Sequence, residues 1–455
     1  MMTQAQMFSA NRFQKFAYSV ATFGNALIGS VFTIFTFFYY KNVVFESAFL
    51  EANEAIISTL LGTALAIGWW VQALMNPVAG WLSDQTISSR YGRRKPWLII
   101  GSPIIALSFI AIYLVPTNIT ELFYPIIWLT IFLSIYNCAY AATVCVYLSI
   151  IPEICPSPEE RTSISTYRQG FYLVGTILGA LIGALLEDLA FMVSIILALL
   201  FIICFYIAVF GIKEPSEVPE TPTFNIIEAL RVTFGNKPFL PYLGYTIFMT
   251  AFQSMLITML PDFGRHVVFK GKENDISSLL PGAFVITGII AVAPAMYWIN
   301  KVGKKKAALN AMVVAAIITI LLATVGLIPD FELPHTLAIV LLLGIPAAPL
   351  LILPDSIISD ITDYDEQVTG TRREAMHFAA QGLLTRFAGG LAVQLMGIIL
   401  GVFGATYSAT EPFNGTLGLL LIGPVAAVCA IIGFIIFRTY PEEDVLAASA
   451  KKIQA

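Results

Sequence analysis

The chain reads as an all-α membrane protein, with twelve transmembrane helices in two six-helix bundles and both termini in the cytoplasm. Three observations predict this. Of its 455 residues, 58% are hydrophobic and 12% charged, with a mean hydropathy of +0.81; a soluble chain carries about a quarter charged residues. Apolar stretches of about 18 residues or more recur from end to end, the length that crosses a hydrocarbon core. The Lys and Arg residues, finally, fall almost entirely between those stretches and alternate in density from one connection to the next.

Taken in order, the spans are 16–40, 56–82, 97–115, 123–151, 163–186, 189–212, 239–261, 276–300, 306–328, 336–360, 376–403 and 416–438, to within about three residues. The first is preceded by Asn11, Arg12 and Lys15 and lacks a small-residue cleavage pattern, so it reads as a retained helix. With both ends inside, the cytoplasmic segments hold 19 of the 25 Lys and Arg, and the outside loops hold only Lys41, Arg265, Lys270 and Lys272. That asymmetry fixes the orientation expected of the chain. Two cations are left inside the membrane, Arg168 in the fifth span and Arg386 in the eleventh.

The longest internal connection divides the chain into an N-terminal bundle (1–212), a linker (213–238), a C-terminal bundle (239–438) and a tail (439–455). The linker starts with Glu214, Pro215, Glu217, Pro219, Glu220 and Pro222. It continues through Ile226, Ile227, Leu230 and Phe234, a pattern that predicts a helix on the membrane surface. A weak repeat supports the division: Gly92-Arg93-Arg94-Lys95 recurs 211 residues later as Gly303-Lys304-Lys305-Lys306, and Arg161 and Arg372 share the offset. Two parallel six-helix repeats are a transporter architecture.

The loop after the second span, Gly80-Trp-Leu-Ser-Asp84-Gln-Thr-Ile-Ser-Ser-Arg90-Tyr-Gly92-Arg93-Arg94-Lys95, resembles the signature loop of the major facilitator superfamily. Gly80 permits close helix approach, and Asp84 can accept hydrogen bonds from a helix N-terminus or from Arg90. Such a cluster suits a latch that closes the cytoplasmic side. Three more stretches are Pro152-Glu153 through Arg161 to Tyr167-Arg168, Asn236-Lys-Pro-Phe239, and Asp360-Ile-Thr-Asp363-Tyr364-Asp365 through Gly370 to Arg372-Arg373-Glu374. Together they resemble the melibiose permease-like glycoside–pentoside–hexuronide:cation symporters. The resemblance implies sugar-contacting cations at Arg168 and Arg386, and a cytoplasmic gate drawn from Gly80, Asp84, Arg90, Arg93, Arg94, Glu153, Arg161, Asp360, Asp363, Arg372 and Glu374. It also implies a cation-coupling site on the second span, but there the family's two carboxylates are replaced by Gln72 and Asn76. The further acidic positions fall on Val144 and near Ala26. Two amides hold Na⁺ much more weakly than carboxylates do, so sodium coupling at that position is doubtful, and the coupling ion (proton or Na⁺) is left open along with uniport.

Without those carboxylates the two arginines look uncompensated. Arg386 lies about 15 Å into its helix and Arg168 about 8 Å, at 1.5 Å per residue. A guanidinium at that depth is costly unless paired, hydrated or used, and its fork matches a carboxylate or phosphate. Two of them facing one aqueous cavity predict an anionic solute; snorkelling of Arg168 and pairing of Arg386 with Asp355 or helix-end carbonyls are the structural alternatives. Asn25, Asn137, Tyr140, Tyr167 and Gln381 are the further substrate-binding candidates. Tyr172, Gln253, His377 and Gln394 complete the polar set available to line a cavity.

The expected function is a secondary active or facilitative transporter that moves a small polar solute by alternating access. A sugar or glycoside fits best, with a uronide-like acid favoured by the arginines. An amphiphilic anion such as a lysophospholipid is the alternative, and a non-transporting receptor on the same fold is another. No His-Glu-x-x-His or Gly-x-Ser-x-Gly pattern is present and only His266, His335 and His377 occur, so neither an enzyme nor a metal site is expected. The five Cys, four of them in apolar spans, form no disulfide framework. The expected partners are a small-molecule solute and the lipid bilayer (the inner membrane in a bacterium). No cofactor or nucleic acid is expected, and the chain is expected to be monomeric.

Overall fold

The computed structural model describes residues 11–86, 94–154, 158–212, 235–270, 279–328, 330–369, 374–407 and 414–445. Among them every regular element is helical, and the only β contact is an isolated bridge between Phe45 and Ile119. The main helices are α1 (Arg12–Tyr39), α2 (Ser47–Gln85), α3 (Lys95–Tyr113), α4 (Phe123–Ser149), α5 (Pro158–Ile182), α6 (Leu186–Gly211) and α7 (Phe239–Phe263). They continue as α8 (Leu279–Ile290), α9 (Val292–Val302), α10 (Lys304–Ile320), α11 (Glu332–Thr369), α12 (Glu374–Phe403) and α13 (Leu417–Phe437). Helix α1 starts at a capping box: Asn11 Oδ1 accepts from Gln14 N at 2.8 Å, and Gln14 Oε1 accepts from Asn11 N at 3.0 Å. Gly303, with φ of +90°, ends α9 and lets the chain turn into α10.

Among the described residues ten helices are long and apolar enough to cross a membrane singly, and the pair α8–α9, bent by 46°, makes an eleventh. The fifth predicted span is helical over 25 residues as α5, but Glu159, Glu160, Arg161 and Arg168 keep it below that apolarity. The outward faces explain the composition. On α4, Phe123, Ile127, Ile131 and Ile135 are exposed at i, i+4 spacing, while Leu129, Leu133 and Tyr136 are buried. In water such a stripe would be an association site; here hydrocarbon is the matched solvent. The protein is an integral, multi-pass membrane protein.

The chain forms two compact units, Met1–Asn53 with Thr63–Pro222, and Glu54–Gly62 with Thr223–Ala455. In the first, α1 packs on α5 and α6, and α3 on α4 and α6. A Cβ at Gly175 would lie 2.5 Å from the Phe23 carbonyl oxygen, so a side chain there would force α1 and α5 apart. In the second unit, α7 packs on α12 and α13, and α11 on α8 and α10.

Basic residues that the sequence assigns to inside loops close each unit in the same way. Lys95 Nζ donates to the Ile212 carbonyl just past α6 at 2.6 Å. Lys305 Nζ donates to the Tyr440 carbonyl past α13, also at 2.6 Å. The first places a cation on the C-cap carbonyl of α6; the second places one on the turn that follows α13. The predicted surface helix of the linker falls within 213–234, outside the described residues; Asn236 is described, and its Oδ1 accepts from Phe239 N at 3.2 Å, starting α7.

Candidate solute site

In the first unit a polar stripe runs along α1 and α4 inside otherwise apolar helices. Tyr18, Thr22 and Asn25 repeat at i, i+4, i+7 on α1; Tyr136, Tyr140 and Tyr147 do so at i, i+4, i+11 on α4. These spacings put each set on one helix face, and the two faces meet. Tyr147 Oη donates to the Tyr18 carbonyl at 2.8 Å, Tyr18 Oη donates to the Tyr147 carbonyl, and the rings stack with centroids 4.3 Å apart. Thr22 Oγ1 lies 2.9 Å from Tyr147 Oη, and Asn25 Nδ2 donates to Tyr140 Oη at 3.1 Å. The Asn25 Oδ1 is buried without a hydrogen-bond partner among the described residues.

Arg168 projects from α5 onto this stripe. Its Nε donates to Thr22 Oγ1 at 3.4 Å, and its Cζ stands 5.7 Å from the Tyr147 ring centroid. Among the described residues no carboxylate pairs with it. A group with five N–H donors thus meets, among the described residues, one long hydrogen bond to Thr22 and the ring and hydroxyl of Tyr147. The rigid tyrosine pair orients it, and most of its donor capacity is left for another acceptor. Thr22 and Tyr147 are absent from the sequence-derived candidates, although the helical spacing of the polar residues on α1 and α4 was the signal that marks them.

The other candidates of this unit are distributed around the stripe. Tyr167 is next to Arg168 in sequence but faces elsewhere: with Phe23, Phe171 and Val174 it lines an apolar groove of about 760 Å³. Asn137 is buried, donates to the Leu133 carbonyl of its own helix at 3.0 Å, and packs at Gly68 of α2. Gln72 is buried on α2 and Asn76 is half-buried.

In the second unit Arg386 is half-buried on α12 and is engaged by a neighbour. Gln381, five residues earlier on the same helix, lies against the hydroxyl of Tyr242 on α7, which donates to the Pro354 carbonyl at 3.1 Å. His377 is buried, its ring edge-on to Phe239 with centroids 5.0 Å apart. Of the gate residues, Asp360 accepts from Lys304 Nζ at 2.6 Å within the same unit, and Arg94 is buried at the start of α3. Asp365, one helical turn past Asp360, accepts from Asn236 Nδ2 at 3.1 Å. Nearby, burial pushes the Tyr440 phenol up, with Asp360 and Glu442 adding to the effect. Gly80 is half-buried near the end of α2, and Asp363 on α11 is half-buried and engaged. Arg90, Arg93 and Arg372 lie outside the described residues, as do the side chains of Asp84, Glu153, Arg161 and Glu374.

Comparison with known proteins bears on this arrangement. Residues 17–444 match the family described as MFS/sugar transport protein. The chain is 25% identical over 445 residues to the uncharacterized symporter YjmB of Bacillus subtilis, covering 93% of this chain and 91% of that one. It is 23% identical over 453 residues to the sodium-dependent lysophosphatidylcholine symporter 1-B of Danio rerio, covering 89% and 83%. Among solved structures it is similar in fold to the nucleoside transporter NupG, with a TM-score of 0.67 at 15% identity over 94% of this chain and 99% of that one. It is similar also to a D-xylose–proton symporter, with a TM-score of 0.62 at 17% identity over 91% and 97%. Polar side chains gathered within membrane-crossing helices and a family match over nearly the whole chain lead to one conclusion: this protein belongs to the MFS/sugar transport protein family and is a transporter of the major facilitator type.

Proposed function

We propose that the protein moves a small polar solute across the membrane by alternating access, that both termini are cytoplasmic, and that the solute is an acidic sugar or glycoside of the uronide class. The observation that carries this reading is Arg168, oriented by Thr22 and Tyr147 and without a carboxylate partner among the described residues. An oriented guanidinium fork selects a carboxylate or phosphate. Within the first unit Asn25, Tyr140 and Asn137 provide hydrogen bonds to hydroxyls; Arg386 and Gln381 are the candidate cation and amide of the second unit. The amides of Gln72 and Asn76 stand where the melibiose permease-like family has carboxylates, so sodium coupling there forms no part of the proposal.

A second reading has its own observation. The groove lined by Phe23, Tyr167, Phe171 and Val174 is apolar, and relatives named lysophosphatidylcholine symporters resemble the chain over most of its length. An amphiphilic anion would put its phosphate on an arginine and its chain in such a groove. Counterflow of labelled D-glucuronate in proteoliposomes tests the first reading directly. Exchange of D-glucuronate, unaffected by lysophosphatidylcholine, supports a sugar acid; no exchange of D-glucuronate together with exchange of labelled lysophosphatidylcholine replaces it with the second reading.

A further inference from the structure

Between Glu332 and Asp360, α11 carries one carboxylate, Asp355, in a stretch that is otherwise apolar save for a few hydroxyls and His335. The most apolar 18-residue window of this span has a mean hydropathy of 2.5. Asp355 is exposed, and among the described residues its carboxylate has no hydrogen-bond or ion-pair partner; Ser359 Oγ reaches only its main-chain oxygen, at 2.8 Å. It is five residues deeper than Asp360, which holds Lys304, and ten deeper than Asp365, which holds Asn236. At 1.5 Å per residue those steps are about 7.5 and 15 Å. An ionised carboxylate at such depth is retained where it does something, because a neutral side chain would be cheaper there.

The neighbouring groups leave its charge unmatched. On α7 the hydroxyl of Tyr242 is committed to the Pro354 carbonyl, within electrostatic reach of Asp355, and Tyr245 is fully buried. On α12 are Gln381 at that same hydroxyl, His377 against Phe239, and Arg386 beyond them. On α10 Lys304 is taken by Asp360, and past α13 lie Tyr440 and Glu442. Helix α8 presents no ionisable side chain, and α9 presents Tyr297 and Lys301. Pro346, Pro349 and Pro354 lie inside α11. Each removes a main-chain hydrogen bond, so this stretch of helix can change shape at low cost.

We infer that Asp355 is the proton-binding group that couples solute movement to a proton gradient. This rests on reading the chain as a transporter of an acidic solute. Protonation takes H⁺ from water on one side and converts the carboxylate to a neutral carboxylic acid, which can pass through an apolar, water-free arrangement. Release of the same H⁺ to water on the other side restores the charge. One proton carried with one monoanionic sugar makes the movement electroneutral.

The test uses the full chain in proteoliposomes, with infrared difference spectra recorded on acidification and with labelled D-glucuronate as transport probe. The inference predicts a protonated-carboxyl C=O band that vanishes in Asp355→Asn and returns, shifted, in Asp355→Glu. It predicts also that Asp355→Asn exchanges D-glucuronate across the membrane but falls to a concentration ratio of one under an inward proton gradient, where the parent chain concentrates it. A band unchanged in Asp355→Asn, or accumulation that persists in it, overturns the inference. If the parent chain neither exchanges nor concentrates D-glucuronate, the solute reading fails, and the carboxyl band alone still decides the role of Asp355.

Discussion

Replacing Arg168 with Gln separates binding from folding, because the two contributions of that side chain differ in size. Among the described residues it makes one hydrogen bond of 3.4 Å to Thr22 and lies against Tyr147, 5.7 Å from its ring centroid and within reach of its hydroxyl. The first is at the edge of hydrogen-bond geometry, and the second is worth about 0.5–1 kcal/mol at a hydrated site. A carboxylate or phosphate of a solute would gain about 1.5–3 kcal/mol from a charge-assisted bond to the same group. The predicted loss is therefore about 10- to 150-fold in apparent affinity, against a shift in stability of about 1 kcal/mol or less. Lys at the same position keeps the charge but not the fork and should recover only part of the loss. The assay is the concentration dependence of labelled D-glucuronate counterflow, with thermal unfolding in detergent as control. An Arg168→Gln protein of parental affinity would refute the reasoning, and so would one whose loss is explained by unfolding.

Other predictions follow from the same structure. Arg386→Gln should weaken D-glucuronate exchange by a similar factor, about 10-fold or more for a lost charged hydrogen bond, while leaving the protein folded; parental exchange kinetics would remove Arg386 from the site. Gly175→Val should destabilise the α1–α5 contact by about 1–3 kcal/mol, because its Cβ would meet the Phe23 carbonyl at 2.5 Å; an unchanged melting temperature in detergent would contradict this packing. The hydrogen bond that Lys270 Nζ donates to Glu332 Oε1 at 2.8 Å holds the Lys270 ammonium above its ordinary value. The sign follows: the pair's contribution is complete below the usual lysine range and is lost as pH rises through the raised value. Melting profiles at alkaline pH should therefore lose that component in Glu332→Gln, and identical profiles would show the pair to be idle.

Much of the fold was legible because lipid imposes long apolar runs and puts cations at their ends. The second to fourth and sixth to twelfth predicted spans each meet a helix within a few residues of the expected limits or extending somewhat beyond them, apart from the eighth, which is bent at Ala291 between α8 and α9. Hydropathy does not register that bend, because the apolar run continues through Ala291 from one half into the other. The fifth span, expected over 163–186 as an apolar segment, is the helix α5, which Arg168 and the polar residues around it keep below the apolarity of the other ten.

The site was less legible. A helix face follows from spacing, but which faces meet depends on packing, so Tyr167 was grouped with its neighbour Arg168 when one residue of helix turns it toward a different surface. Thr22 and Tyr147 were overlooked because a threonine and one of 18 tyrosines in an apolar chain carry little weight singly; their significance comes from mutual hydrogen bonding. Asp355 entered only as a partner for Arg386, and its lack of a described partner depends on neighbours brought from α7, α10 and α12.

The charge preference of the solute is the most direct test of the account. Labelled D-glucuronate counterflow should be competed by unlabelled D-glucuronate and hardly at all by methyl β-D-glucoside, which keeps the ring and lacks the carboxylate. Loss of one charged hydrogen bond predicts a difference of about tenfold or more between the two competitors, and Arg168→Gln should largely abolish it. Equal competition by the neutral glycoside, in the parent chain and in Arg168→Gln alike, would contradict recognition of an anion by these arginines.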